Sequence, residues 1–223
     1  MFVVFKKIYL FLAVVFCIMG VTLPVVTSLA LNEIQKETVV IDPGHGGYDG
    51  GVKGVTSGVS EATVNLEIAK LLKGYFESDG KKVILTRTAD VALTSSTRKQ
   101  EDMQARIRII NRANPKLLIS LHVNYYTSSS RRGIQVFYGK KTDEKLAEQI
   151  QKEINSALNY PEIGRNYQAL WGDYYILANA ECPSALIECG FFSNPQDEAL
   201  LLDENYRMRL AYEIFSAVKK MDL

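Results

Sequence analysis

The sequence predicts an α/β domain built in three layers, with helices on both faces of a mostly parallel sheet. Two observations carry this. Short apolar runs rich in β-branched residues alternate with stretches of helical spacing from about residue 37 to the end of the chain. The junctions between them hold the glycine, proline and asparagine residues that end one element and start the next. That alternation is the pattern of βα units and a parallel sheet. In such sheets ligands bind at the carboxyl edge of the strands.

The elements follow in order. "ETVVID" reads as a buried strand and runs into the glycine-rich loop "PGHGGYDGG". In "SEATVNLEIAKLLKGYFESDG", Ala62, Leu66, Ala69, Leu72 and Phe76 fall three or four apart, with Ser60 as cap and Gly80 as stop. "KKVILTR" is a second strand and "TADVALTSSTRKQ" a polar loop. "EDMQARIRIINRAN" is a helix ended by Asn114-Pro115, and "KLLISLHVN" a third strand. "YYTSSSRRG" is an exposed loop, where Arg131 and Arg132 are either solvated or in reach of an anionic substrate or partner. "IQVFYG" is a fourth strand. "TDEKLAEQIQKEINSAL" is an amphipathic helix capped by Thr142 or Asp143. The segment "NYPEIGRNYQALWGDYYIL" is an irregular loop ending in a short strand, "SALIECGF" is another strand, and two helical pieces close the chain.

Residues 1–30 differ in kind. "MFVVFKK" is basic, "IYLFLAVVFCIMGVTL" is apolar, and small residues follow near "SLA". This reads as a secretory signal, with an uncleaved membrane anchor as its rival. Either way the folded part is expected outside the cytoplasmic membrane: secreted, in the cell wall, or in the space around a forespore. Of three cysteines, Cys17 lies in this segment, while Cys182 precedes the strand "SALIECGF" and Cys189 lies within it. A disulfide along a strand would be too long, so two free buried thiols are expected.

Composition narrows the function classes. Hydrophobic residues make up 47% and charged residues 23%, ordinary for a packed domain. The net charge of +1, from 26 basic and 25 acidic residues, gives no footprint for nucleic acid. The glycine-rich loop lacks the GK[ST] ending of a phosphate-binding loop, and Asp49 stands where a dinucleotide loop has its third glycine. No GxSxG elbow occurs.

Four titratable residues are placed by strand ends or loops at the carboxyl edge: His45, Glu61, His122 and Glu188. Each has an ordinary explanation except one. His45 could be a turn residue, His122 a satisfied core histidine, and Glu61 a helix start that complements the dipole. Glu188, inside "ALIECGF", should be buried, and an unpaired buried charge costs several kcal/mol, about 2–7 for polar groups and more for ions. No arginine or lysine lies nearby in sequence, so a metal ion or its water would answer the need. The chain has only two histidines, and two imidazoles with one carboxylate are a common catalytic zinc set. A further carboxylate would move the water's proton.

Taken together, "VVIDPGHGGYDGG", "SEATVNLEIAKLL", "ARIRIINRAN" leading into "LLISLHVN", and "PSALIECGFFSNPQDEALL" resemble the zinc-dependent N-acetylmuramoyl-L-alanine amidases of the amidase_3 class. These motifs occur in the family's order across nearly all of the chain after the export segment, which makes 37–221 the expected catalytic domain. The resemblance implies a three-layer αβα sandwich with a six-stranded sheet. It implies one zinc ion held by His45, Glu61 and His122, with Glu188 as base to the water and proton donor to the leaving L-alanine nitrogen. The substrate would be the glycan strand with its stem peptide, cut between N-acetylmuramic acid and L-alanine. Asp42 and Asn124 lie near these ligands and could orient them or simply cap turns. No long regulatory insertion is expected between "IQVFYGK" and "SALIECGF", and no wall-binding repeat is expected in the sequence given. A short single-domain chain of this kind is similar to the germination-specific amidases of the spore cortex, which prepare muramic-δ-lactam. An activating or anchoring protein partner stays open. Two rival functions also stay open: an inert peptidoglycan-binding or scaffolding protein on the same fold, and a zinc carboxypeptidase or deacylase of another bond.

Overall fold

The alternating apolar runs pair into one sheet. In the computed structural model, which describes residues 36–221, the strands are β1 (Thr38–Pro43), β2 (Lys82–Leu85), β3 (Leu117–Asn124), β4 (Gln135–Tyr138), β5 (Leu170–Trp171) and β6 (Ser184–Phe191). Their order across the sheet is β2-β1-β3-β6-β4-β5. The pairs β2/β1, β1/β3 and β3/β6 are parallel, and β4 runs antiparallel to β6. The carboxyl ends of β1, β3 and β6 therefore converge on one edge. The export segment at residues 1–30 lies outside the described residues. Among those described, no helix is long and apolar enough to cross a membrane.

The period of two along each strand sorts side chains into two cores. Ile41, Ile119 and Ile187 face a large core shared with α1 (Glu61–Ser78), α3 (Glu144–Ile154) and α7 (Glu204–Lys219). Val40, Leu118 and Leu186 face a smaller core with α2 (Lys99–Ala113) and α5 (Tyr175–Asn179). The remaining helices are the single turn α4 (Tyr160–Ile163) and α6 (Pro195–Leu202). The second face matters most for function. Register pairs Asp42 with Ser120 and His122 with Glu188, so polar side chains continue the apolar row of that face toward the edge.

Three local expectations need adjustment. The stretch "DYYIL" is not a strand: Tyr175–Asn179 is a helix, and the short edge strand is Leu170–Trp171. Apolar and aromatic runs this short fit either period, and packing of Ile176 and Leu177 into the smaller core decides it. Asp143 precedes α3, but its side chain makes no capping bond; it is buried and accepts from Ser184 Oγ at 3.0 Å. The helix expected to run to Leu158 loosens into a π-turn over Asn155–Asn159. Cys182 and Cys189 are free and buried, as expected.

Helix α2 stops where Asn114 adopts a left-handed conformation, φ 43°. A residue with a Cβ and no local side-chain compensation loses about 1–2 kcal/mol there. Asn114→Ala should therefore lower stability by about 1 kcal/mol while Asn114→Gly stays level with the parent, read from urea midpoints.

Candidate active site

The chain leaves β1 at Pro43 and turns sharply. His45 sits at φ 62°, a left-handed conformation that costs a non-glycine residue about 1–3 kcal/mol. Two buried guanidinium groups hold it there. Arg106 on α2 donates from Nη1 to the Pro43 carbonyl at 2.9 Å and from Nη2 to that of His45 at 2.6 Å. Arg87, just after β2, donates to the carbonyls of Pro43 at 2.9 Å, Gly44 at 2.9 Å and Ala62 at 2.7 Å. Hydrogen bonds to charged groups contribute about 1.5–3 kcal/mol each, so several together outweigh the strain.

Arg106 is neutralised in turn. Its Nη1 lies 2.8 Å from Asp42 Oδ1, and its Nε 2.8 Å from Asp102 Oδ2. Asp42 also accepts from Thr86 Oγ1 at 2.5 Å and Ser120 Oγ at 3.0 Å. Burial alone would raise the Asp42 carboxyl, but Arg106 and Thr86 outweigh burial and hold it below the usual carboxylate range. Asp42 thus makes no hydrogen bond to either imidazole; it acts on the His45 loop through Arg106. Asn124 does what a turn residue does, its Oδ1 accepting from Tyr125 N at 2.8 Å.

Ser60 caps α1, accepting from Thr63 N at 3.4 Å, and so sets Glu61 at the first helical position facing inward. The Glu61 carboxylate is buried and is a hub. Its Oε1 lies 3.0 Å from His122 Nδ1 and 3.2 Å from His45 Nε2. The same oxygen accepts from Val123 N at 3.0 Å and Asn65 Nδ2 at 3.3 Å, while Oε2 accepts from Val52 N at 3.0 Å. Burial opposes its charge, yet the two imidazoles together hold its carboxyl far below the ordinary range. Two glycines make room. A Cβ on Gly44 would stand 2.2 Å from His122 Cε1, and one on Gly51 (φ 69°) 2.4 Å from Glu61 Oε2.

One ligand atom from each of His45, Glu61 and His122 lies within 4.8 Å of the other two. Ligands on a tetrahedral ion with bonds of about 2.0–2.2 Å stand roughly 3.3 Å apart, close to the 3.0 and 3.2 Å between Glu61 Oε1 and the two imidazole nitrogens. His45 Nδ1 faces Asp49 Oδ2 at 2.9 Å, which leaves Nε2 directed at the cluster. Two imidazoles and a carboxylate fit a divalent cation of the zinc type.

Glu188 stands opposite His122 on the neighbouring strand. It is 8% exposed, and its Oε2 is buried without a hydrogen-bond partner among the described residues. Burial pushes its carboxyl up to about 7; the Glu61 charge adds to this, and the imidazoles oppose it. A cavity of about 330 Å³ opens over this face, lined among others by His45, His122, Asp173 and Tyr174. Burial, with Glu188 near, pushes the Tyr174 hydroxyl up to about 12, so it stays protonated. A larger groove of about 860 Å³ between α3 and residues 166–169 contains none of these groups.

The four chemistry-bearing residues singled out in the sequence thus converge at one edge. Sequence reasoning missed Arg87, Arg106, Asn65 and Asp49. The 102/106 spacing places Asp102 and Arg106 on one helix face, but the same spacing marks ordinary solvated pairs, so burial was not visible.

Comparison with known proteins agrees with this geometry. Residues 39–220 match the family model Amidase_3, described as N-acetylmuramoyl-L-alanine amidase. The germination-specific N-acetylmuramoyl-L-alanine amidase of Bacillus subtilis is 37% identical over 83% of this chain and 79% of its own length. The probable cell wall amidase LytH of Staphylococcus epidermidis is 29% identical over 90% of this chain, which spans 64% of that protein. Among solved structures, the CwlD amidase from Clostridioides difficile, determined in complex with the GerS lipoprotein, superimposes with a TM-score of 0.78 at 34% identity, covering 83% of this chain and 98% of that one. The chain belongs to the Amidase_3 family.

Replacing Arg106 by Met would leave Asp42 and Asp102 buried without their cation. The expected loss is about 3–5 kcal/mol near neutral pH, read from denaturant unfolding. Because Asp42 is depressed in the folded state, its contribution is present above the unfolded value of about 3.9 and lost as pH falls through the folded one. The gap between parent and variant should therefore narrow below about pH 4.

Proposed function

We propose that this Amidase_3 protein hydrolyses the amide between N-acetylmuramic acid and L-alanine in peptidoglycan, using one zinc ion held by His45, Glu61 and His122, with Glu188 as the proton-moving group. The observation that supports this most directly is the meeting of three ligand-type atoms beside a buried, unpartnered carboxylate. Bound there, zinc supplies Lewis acidity toward a water and a carbonyl oxygen.

The chain's own residues do the rest. Arg106 and Arg87 fix the backbone that presents His45, and Glu61 is fixed by Val123 N and Val52 N. Glu188 takes a proton from the attacking water and passes it to the leaving nitrogen as the C–N bond breaks. The products are a lactyl carboxylate on the sugar and a stem peptide with a free L-alanine amine. A carboxyl brought up to about 7 is poised for both steps, and the positive charge of an ion favours its ionised form.

The name of the Bacillus subtilis relative supports a role in germination, and the substrate we propose is spore cortex, where removal of the stem peptide would precede muramic-δ-lactam formation. Residues 1–30 would carry the catalytic domain across the cytoplasmic membrane. The lipoprotein bound to the Clostridioides difficile relative supports an anchoring or activating partner for this chain too.

Glu188→Gln keeps the shape of the site and should retain zinc while losing about 10²–10⁴-fold in kcat. His122→Ala should lose both zinc and turnover. Metal analysis beside muropeptide assays checks the pair, and equal zinc content in the two variants would contradict the assignment. Gly44→Ala should weaken zinc binding by about 10–100-fold through displacement of the His122 ring while unfolding cooperatively, as isothermal titration and circular dichroism would read.

A further inference from the structure

The Glu188 face carries a second cavity. It measures about 230 Å³ and is lined by Asn124, Tyr126, Arg131, Gln135, Phe137 and Leu170, among others. It opens on the same sheet face as the first: Gln135 pairs directly with Glu188, and Phe137 with Leu186, which lines the first cavity. Phe137 and Tyr174 touch edge to face at 5.2 Å, so these two rings form the partition. Glu188 therefore stands in the sheet between His122, which lines the first cavity, and Gln135, which lines the second.

The two cavities differ in charge. In the first, Arg106 is spent on Asp42 and Asp102, Lys99 lies 3.6 Å from Asp49, and Asp173 makes no ion pair among the described residues. Away from the metal position its side chains carry more negative than positive charge, which suits neutral hydroxyl-bearing sugar. In the second, Arg132 is committed to Asp197 at 3.0 Å. Arg131 makes no ion pair among the described residues; its guanidinium lies over the Tyr126 ring, 5.1 Å from the centroid. The loop that carries it is anchored on both sides. Tyr126 N donates to Ser193 Oγ at 3.0 Å, Asn194 Nδ2 to Ser129 O, and Gly133 N to Asp197 Oδ2 at 2.7 Å. An uncommitted cation held in place beside a cavity is built to meet an anion.

We infer that the cavity between β4 and the 125–133 loop receives the stem peptide, and that Arg131 is a specificity residue recognising a free carboxylate on the residue that follows L-alanine. The inference rests on the amidase reading and deepens it. Glu188 hands its proton to the leaving nitrogen, so the peptide departs from beside Glu188. Of the two flanking cavities only this one offers a carboxylate an unpaired side-chain cation. The sugar then lies on the side of His45, Asp173 and Tyr174.

The experiment compares two soluble muropeptides, identical except that the residue after L-alanine carries a free carboxylate or its neutral amide. Zinc-loaded wild-type protein should show a kcat/KM ratio, acid over amide, of about ten, the factor one charge-assisted contact supplies. The ratio should fall to near one in Arg131→Gln and drop below one in Arg131→Glu, with the change carried by KM. A wild-type ratio near one, or a ratio that Arg131→Gln leaves unchanged, overturns the subsite while leaving the amidase reading intact. Failure of the wild-type protein to cleave either compound overturns the amidase reading and the subsite with it.

Discussion

The site depends on a short piece of backbone that would not hold its shape alone. Residues 43–45 turn off the end of β1 with His45 in a left-handed conformation, and their three carbonyls are held by Arg106 and Arg87. Both guanidiniums are buried, which is tolerable only because Asp42 and Asp102 neutralise Arg106 and because backbone carbonyls use the remaining donors. The network ties β1, the end of β2, β3 and α2 together at the edge where chemistry would occur. His45 is thus mounted on strands and a helix through a loop with little freedom, which limits drift of its imidazole relative to Glu61.

Glu61 and Glu188 show how environment divides the labour of two buried carboxylates. Glu61 is surrounded by two imidazoles and three further donors, and stays ionised. Glu188 has no comparable partner, and burial raises it. Titratable groups pushed apart in this way mark acid–base roles: the held-down one suits ligation, and the raised one suits moving a proton near neutral pH. They come from different layers, Glu61 from the first turn of α1 and Glu188 from the central strand β6, and only the sheet's parallel register brings them to one place.

Much of this was legible in the sequence. Glu188 stood out because a carboxylate amid Leu186, Ile187 and Cys189 has to be buried and needs an explanation. The strands at 38–43, 117–124 and 184–191 were legible because central parallel strands are apolar on both faces. Glu61 was not legible from its surroundings, since Ser60-Glu61 is how an ordinary helix begins; motif order across the whole chain singled it out. Arg106 looked like one charge among many in a polar helix. The "DYYIL" segment misled because five residues do not distinguish a period of two from 3.6, and the tertiary contacts of Ile176 and Leu177 settle it. At Gly44 the glycine meets a need for space, since the His122 ring occupies the position of any Cβ.

The central claim is that His45, Glu61, His122 and Glu188 form a metal-dependent amidase centre. The most direct measurement is mass spectrometry of muropeptides incubated with the purified protein before and after chelation and re-addition of zinc. The account predicts release of the intact stem peptide with L-alanine at its amino terminus, abolished by the chelator and restored by zinc. Removal of only a terminal residue, or no product from protein shown to contain zinc, would contradict it.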